Sequence, residues 1–208
     1  MERSSGKKGD TKERILEIAL DLFSVHGYQA VSIRDICGQL GFTESSIYYH
    51  YKNKQAIMDA LQEKIMQLAE QMMETFQGQF EIAQKVSADE ICMVAVGELK
   101  GYFLNPYVHK MISVLNLERM SDEKAHVIYQ KIVFDMPLLQ HEQVFKAMQA
   151  KGMIQEFDAA LLARRYYAII FLAFQKNCIT REISQEQIDR ASSEICSDVR
   201  AFYETITR

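Results

Sequence analysis

Apolar residues recur along the first part of the chain with the period of an α-helix. One helical face carries, at the i, i+3, i+4, i+7 and i+8 positions, Ile15, Ile18, Ala19, Leu22 and Phe23. Asp10 precedes this stripe as a helix cap with Glu13 as its capping-box partner, and Gly27 follows where the helix would end. The pattern predicts a first helix that starts at Asp10 and stops at Gly27.

Two short helices are predicted next. Ser32, with Asp35 three residues on, caps the first of them, and Gly41 ends it. Thr43 caps the second, which extends through Tyr51. Two short helices on either side of a glycine turn, with a longer helix before them, are typical of a helix-turn-helix unit.

The remaining helices also begin at recognisable caps, which are Asn53, Ser87 with Glu90, Asn105 before Pro106, Asp158, and Ser184 with Gln187. A longer stretch opens at Ser121 and runs to about Ala150. Pro137 must kink or split it, and Gly152 closes it. With only 2 prolines and 9 glycines in 208 residues, the chain is predicted to be all-α.

The helices divide into two predicted domains. Residues 1–54 form a helix-turn-helix domain, and residues 55–208 form a larger helical domain that would bind a ligand and dimerise. The fourth helix, after Asn53, is expected to bridge them. Residues 1–9 are expected to be a flexible arm; a basic arm that reaches DNA is the alternative. The basic residues of that arm are Arg3, Lys7 and Lys8.

Charge is unevenly distributed between these regions. The formal net charge is −4, which by itself disfavours binding to phosphate. Residues 1–55, however, contain eight basic and seven acidic residues, a net charge of +1, so the rest of the chain carries −5. The small positive excess therefore lies in the helix-turn-helix region.

The cysteines and the apolar segments bear on cellular location. The four cysteines are far apart and lack the paired spacing of metal ligands: Cys37, Cys92, Cys178 and Cys196. Each stands in a helical, apolar context, so we expect reduced thiols in the core. No apolar run resembles a signal peptide or reaches the length of a membrane span, so we expect a cytoplasmic protein.

The third helix is unusually rich in rings, in the segment GFTESSIYYHYKNK. Ile47 and Tyr51 are one turn apart and are expected to face the first two helices, which leaves Ser45, Tyr48 and Tyr49 on the outer surface. An outward tyrosine can offer its hydroxyl to a phosphate and its ring edge to a thymine methyl group in a major groove. The alternative is an aromatic helix that packs against a partner protein.

At residues 31–61, the segment VSIRDICGQLGFTESSIYYHYKNKQAIMDAL resembles the DNA-binding segment of TetR-family transcriptional repressors. The resemblance lies in the glycine turn followed by Tyr48, His50, Tyr51 and Lys54. Further along, QAKGMIQEFDAALLAR is similar to the approach to that family's dimerisation helices.

The resemblance implies a role for each matching residue. Ser32 and Thr43, at helix N-termini, would bind backbone phosphates, as would Tyr48 and Lys54, with His50 at the same backbone. The residues facing base edges would be Glu44, Ser45, Ser46 and Tyr49. Many relatives have glycine where Ser45 stands and a basic residue where Glu44 stands, which leaves the operator sequence open.

Rings and thioethers in the larger domain suit a deformable apolar pocket, although core packing is the alternative for each of them. The candidate ligand contacts are Tyr102, Phe103, Tyr107, Met111, Tyr129, Phe134, Met136, Phe145, Met148, Tyr166 and Phe174. His109, His126 and His141 are too dispersed for a metal site and are expected at the solvated surface. Arg164 and Arg165 could bind an anionic ligand or form ion pairs near a dimer interface.

The resemblance implies a homodimeric, ligand-responsive repressor without a cofactor or metal. Its partners would be a palindromic double-stranded operator, a second copy bound through the last two helices, and a small hydrophobic effector, with no membrane partner. An activator, or a helical carrier that binds small molecules without an operator, would be the alternatives. No nucleophile and base stand at a spacing that indicates an enzyme.

Overall fold

The computed structural model describes residues 4–82, 86–180 and 182–207, and within these ranges it does not describe the side chains of residues 4–9 and 73–82. Every regular element in these ranges is a helix, so the predicted all-α class is confirmed. The helices are α1 Ser4–His26, α2 Ile33–Leu40, α3 Glu44–Tyr48, α4 Lys54–Ile82, α5 Ala88–Glu98, α6 Pro106–Glu118, α7 Glu123–Gln130, α8 Met136–Ala150, α9 Ala159–Asn177 and α10 Gln185–Thr207.

Most helix ends lie where the local capping signals predict them. The capping boxes of Ser32 and Ser87 both form. Three glycines end helices with positive φ, which they adopt without a steric penalty: Gly27, Gly41 and Gly152. Four further caps accept or exchange hydrogen bonds with the first turn that follows them: Asn53, Asn105, Asp158 and Ser184. These predictions are confirmed.

Four helix boundaries differ from the prediction. α1 begins at Ser4 instead of Asp10, and no proline stands before Asp10 to end it, although Gly6 and Gly9 are unfavourable within a helix. Residues 4–9 are therefore helical, whereas residues 1–3 of the predicted arm, with Arg3, and the side chains of Lys7 and Lys8 lie outside the described residues. Two helix ends also differ: α3 stops at Tyr48 instead of Tyr51, and α4 extends to Ile82, beyond the end at about Gln77 that its apolar period predicts. At the fourth boundary, Asp122 caps α7 where Ser121 was predicted.

Two π-helical segments interrupt the larger helices. Leu99–Phe103 continues α5, and Lys131–Asp135 joins α7 to α8. The second segment ends two residues before Pro137, which lies in the first turn of α8. A proline cannot donate a backbone hydrogen bond, and the wider π turn accommodates that loss without ending the helix. The predicted kink at Pro137 therefore takes the form of a π turn.

The chain divides into two compact units. Unit 1 comprises the residues up to Leu68 together with His109–Tyr129, and unit 2 comprises Ala69–Val108 and the residues from Gln130 onward. The division differs from a single boundary at residue 54, because α6 and α7 belong with the helix-turn-helix. Within unit 1, the Lys110 ammonium binds Asp21, and the Glu118 carboxylate accepts the Tyr28 N–H.

Unit 2 is built on α5, α8, α9 and α10, which pack against one another. Cys92 on α5 and Cys196 on α10 form a disulfide with their Cα atoms 5.0 Å apart. The prediction that all four cysteines are reduced is therefore wrong for this pair. α5 and α10 are also tied by the Arg200–Asp89 ion pair. The two cysteines are 104 residues apart in the sequence, and they come together because α5 packs against α10.

The other two cysteines, Cys37 and Cys178, are buried thiols outside the disulfide, as predicted. Among the described residues no helix is long and apolar enough to cross a membrane. The same part of the chain contains no group of three or more histidine, cysteine or acidic side chains that could hold a metal ion.

Candidate nucleic-acid interface

The short helix α3 has one buried face and one exposed face. Ile47 is fully buried and Tyr51, just beyond the helix, is nearly so. On the opposite side, 49% of Tyr48 and 69% of Tyr49 remain accessible to solvent. The Tyr49 ring meets the His50 ring edge-on, with their centroids 5.1 Å apart. The predicted orientation of these side chains is confirmed.

The turn between α2 and α3 is held by backbone bonds. Gly41 has φ of 68°, and the Phe42 N–H donates to the Cys37 carbonyl at 3.1 Å. Arg14 of α1 lies over the Phe42 ring, 5.6 Å from its centroid. α2 also packs against both α1 and α3. These contacts hold α3 on unit 1 with its tyrosines outward.

A cluster of three hydroxyls lies at the start of α3. The Thr43 hydroxyl is 3.0 Å from that of Ser45 and 2.9 Å from that of Ser46. Three hydroxyls carry three protons, and two hydrogen bonds among them use two. At least one O–H can therefore donate outward, which suits the predicted contact with a phosphate oxygen. Thr43 itself does not cap α3 through its side chain.

Ser32 is placed differently. Its hydroxyl donates to the Asp35 carboxylate at 2.6 Å and accepts from the Asp35 N–H, and its own backbone N–H also donates to Asp35. These hydrogen bonds lower the pKa of Asp35 below its ordinary value. A phosphate at Ser32 would have to break the capping box to receive the hydroxyl proton.

Arg34 is a candidate that the sequence analysis missed. Its side chain is 85% exposed, and its Nε donates to the Glu44 carboxylate at 3.1 Å. The ion pair neutralises Glu44, an acidic residue on a predicted phosphate-facing surface, while the terminal guanidinium nitrogens retain N–H groups that could reach phosphate. The two residues stand at the starts of α2 and α3, which only the glycine turn brings together.

Lys54 does not present a free ammonium group. Its Nζ donates to the carbonyls of Tyr28, Gln29 and Val31, at 2.7, 3.4 and 2.8 Å. It also lies 4.3 Å from the centroid of the Tyr28 ring, and desolvation lowers its pKa. All three N–H bonds are thus engaged with the loop between α1 and α2. The predicted direct phosphate contact gives way to a role in supporting that loop.

Replacing Lys54 with methionine tests this revised role. We expect the free energy of unfolding to fall by about 1–3 kcal/mol, because three loop carbonyls lose a charged donor. Urea denaturation followed by circular dichroism measures the change. Lys52→Met, at an exposed neighbouring lysine, should leave stability unaltered. If Lys54→Met were as stable as the wild type but reduced the salt dependence of DNA binding, the result would support the predicted phosphate contact instead.

The eleven predicted ligand contacts do not all lie in one unit. Met111 and Tyr129 belong to unit 1, and the other nine belong to unit 2. His141, predicted at the solvated surface, is buried in unit 2, where it bonds Glu98. That prediction is wrong because α8 turns His141 inward against α9. Arg164 and Arg165 are exposed on α9.

Comparison with known proteins gives a consistent picture. Residues 15–61 match the family described as bacterial regulatory proteins, tetR family. An HTH-type transcriptional repressor, KstR2, of Mycobacterium tuberculosis H37Rv is 31% identical over 61 residues, which cover 29% of this chain and 30% of that protein. The chain thus covers under a third of the curated relatives it matches.

Solved structures match over nearly the whole length. A candidate TetR-family transcriptional regulator from Mesorhizobium loti MAFF303099 has a TM-score of 0.76 at 15% identity, with 100% of both chains covered. SmeT in complex with triclosan has a TM-score of 0.71 at 16% identity, over 96% of this chain and 92% of that one. At such identities these structures establish the fold.

Proposed function

We propose that this protein is a homodimeric transcriptional repressor. Its chain belongs to the tetR family of bacterial regulatory proteins through residues 15–61. It would bind a palindromic operator and release it when a small hydrophobic effector binds. The observation that carries this proposal is the outward pair Tyr48 and Tyr49 on a helix whose other face is buried. Two neighbouring exposed rings offer a surface for a partner, and the hydroxyl cluster at Thr43 favours a partner that carries phosphate.

The protein would contact both the phosphate backbone and the base edges of the DNA. Thr43, Tyr48, His50 and the newly identified Arg34 would hold phosphates, with Ser32 available only if its capping box opens. Base edges would be read by Glu44, Ser45, Ser46 and Tyr49. Because Glu44 pairs with Arg34, its carboxylate would reach a base only after that ion pair rearranges.

A second copy is needed for specificity, because one helix-turn-helix reads few base pairs. Two recognition helices about 34–36 Å apart would enter successive major grooves. We assign the dimer interface to α9 and α10. Leu161, Leu172 and Ile179 are exposed apolar residues along α9 or directly after it, and an apolar stripe on a helix surface favours a helical partner.

Release would follow from a shift between two populations. One conformation of the dimer has its two recognition helices at the wrong spacing for DNA. An effector that binds this conformation more tightly removes the protein from DNA. A difference of about 3 kcal/mol in its affinity for the two states would weaken operator binding roughly 150-fold. α4 is the proposed lever, because it continues from unit 1 into unit 2. SmeT, which has the same fold, was solved with triclosan, and this supports a small-molecule effector.

The test is a gel shift with DNA from upstream of the protein's own gene, followed by footprinting. We expect two protected half-sites one helical turn apart, about 10–10.5 base pairs. Binding no tighter than to random DNA would favour the alternative of a helical carrier without an operator. The position of the footprint relative to the promoter separates a repressor from an activator, and the stoichiometry tells whether one or two dimers bind.

A further inference from the structure

Unit 2 contains a polar cluster in an otherwise apolar interior, formed by Glu98, His141 and Tyr166. The Glu98 side chain is only 10% exposed, and its Oε1 lies 3.1 Å from His141 Nε2. Its second oxygen, Oε2, is buried and has no hydrogen-bond partner in the described part of the chain. The hydroxyl of Tyr166 is likewise buried without a partner there.

The other buried tyrosines of unit 2 have hydrogen-bond partners for their hydroxyls. The hydroxyls of Tyr102, Tyr167 and Tyr203 each donate to a backbone carbonyl, of Ile132, Val133 and Val86 respectively. Tyr166 alone among these four, all within the described residues, lacks such a partner. A buried polar group without a partner destabilises the folded protein, and more so when it is charged. Two such groups in one cluster point to a ligand that completes it.

Electrostatics indicate that the two unpaired groups are neighbours. Burial raises the pKa of Tyr166 well above its ordinary value, and the negative charge of Glu98 raises it further. Tyr166 therefore keeps its proton at neutral pH. The same two causes, in the same order, raise the pKa of Tyr102. The carboxylate thus acts on one tyrosine of the π-helical segment Leu99–Phe103 and on one of α9.

The backbone around the cluster is also unusual. Glu98 is the last residue of α5 before the π-helical segment Leu99–Phe103. Tyr102 in this segment donates to Ile132 in the second π-helical segment. π turns are energetically less favourable than α turns and occur frequently at functional sites. Here the first π-helical segment directly follows Glu98, the one carboxylate that the described residues leave half-paired and buried.

Aromatic rings enclose the cluster. The Tyr166 ring lies edge-on to His141, with a centroid distance of 5.0 Å, and to Phe145 at 5.8 Å. Phe202 lies 6.3 Å away at a tilt. In the part of the chain that the structure describes, no lysine or arginine pairs with Glu98. A half-paired carboxylate among aromatic rings is an environment that favours a cation.

We propose that Glu98, His141 and Tyr166 bind the charged end of a small protonated organic amine whose apolar body packs against the neighbouring rings. This rests on the proposed function, in which unit 2 binds the effector. One ammonium N–H donates to Glu98 Oε2 and another to the Tyr166 hydroxyl oxygen, while the Nε2–H of His141 donates to Oε1. A neutral alcohol could fill one hydrogen bond but would leave the carboxylate charge uncompensated.

Binding of a panel of primary amines tests this proposal, with butyl-, hexyl-, benzyl- and phenethylammonium each paired with the alcohol of the same skeleton. Isothermal titration calorimetry gives the affinities. We expect at least one amine to bind more tightly than its alcohol. Glu98→Gln should weaken that binding about 10- to 100-fold, as the loss of a hydrogen bond to a charged group implies. Glu142→Gln on α8, whose carboxylate pairs with Lys146, is the matched control and should bind normally.

A tyrosine pair separates ligand recognition from structure. Tyr166→Phe should lower amine affinity several-fold without lowering Tm, because its hydroxyl has no partner to lose. Tyr203→Phe should lower Tm and leave the affinity unchanged, because its hydroxyl bonds Val86. The proposal is overturned if every alcohol binds as well as its amine, if no amine binds, or if Glu98→Gln retains wild-type affinity. Operator binding by the unliganded wild type is measured separately, so failure here leaves the DNA-binding function standing.

Discussion

Replacing Leu172 with glutamate is expected to convert the dimer into a monomer and to abolish operator binding. Leu172 lies on α9 with 65% of its surface exposed. Leu161, Ala168 and Leu172 follow one another at intervals of seven and four residues, which places them on one face of α9, and Ile179 lies just beyond its end. The buried face of α9, with Ile170, points into unit 2. The exposed stripe is therefore available for a second copy.

A carboxylate introduced at the centre of this stripe would lie unpaired in the dimer interface. An uncompensated buried charge costs about 3–5 kcal/mol, so the dimer Kd should rise by roughly 100-fold or more. Sedimentation equilibrium measures the dimer, and a gel shift measures the operator complex. Leu139→Glu, at a similarly exposed leucine of α8, is the control and should remain dimeric. A Leu172→Glu protein that stays dimeric would show that α9 is not the interface.

Replacing Tyr49 with alanine should weaken specific operator binding about 10- to 100-fold, because one base contact contributes roughly 1–3 kcal/mol. Tyr49, directly after α3, is 69% exposed, and its ring lies edge-on to that of His50. Truncation should therefore leave Tm, dimerisation and effector affinity unchanged. The measurement is the ratio of affinities for operator and random DNA.

Phe157→Ala serves as the matched control, since Phe157 is an exposed ring of unit 2 outside the proposed DNA surface. It should retain the wild-type ratio. An undiminished preference for operator in Tyr49→Ala would remove Tyr49 from the base-reading residues. A proportional loss on both DNAs would assign it to the phosphate backbone instead.

The candidate DNA surface was predictable in its orientation but not in its bonding. The spacing of Ile47 and Tyr51 predicted which face of α3 is buried, because helical periodicity relates residues a few positions apart. The hydrogen-bond and ion-pair partners of Lys54 and Glu44 were not predicted. Lys54 reaches carbonyls more than twenty residues earlier, and Glu44 meets Arg34 ten residues away. Such pairs depend on how the helices pack.

The sequence by itself determined the all-α class, the capping boxes and the glycine stops, because these act through bonds within three or four residues along the chain. Only the tertiary structure decided that Cys92 meets Cys196, that residues 109–129 join unit 1, and that His141 turns inward to a half-paired Glu98. Each of these depends on segments distant in sequence, whose proximity arises from packing of apolar faces, and packing carries no local signature.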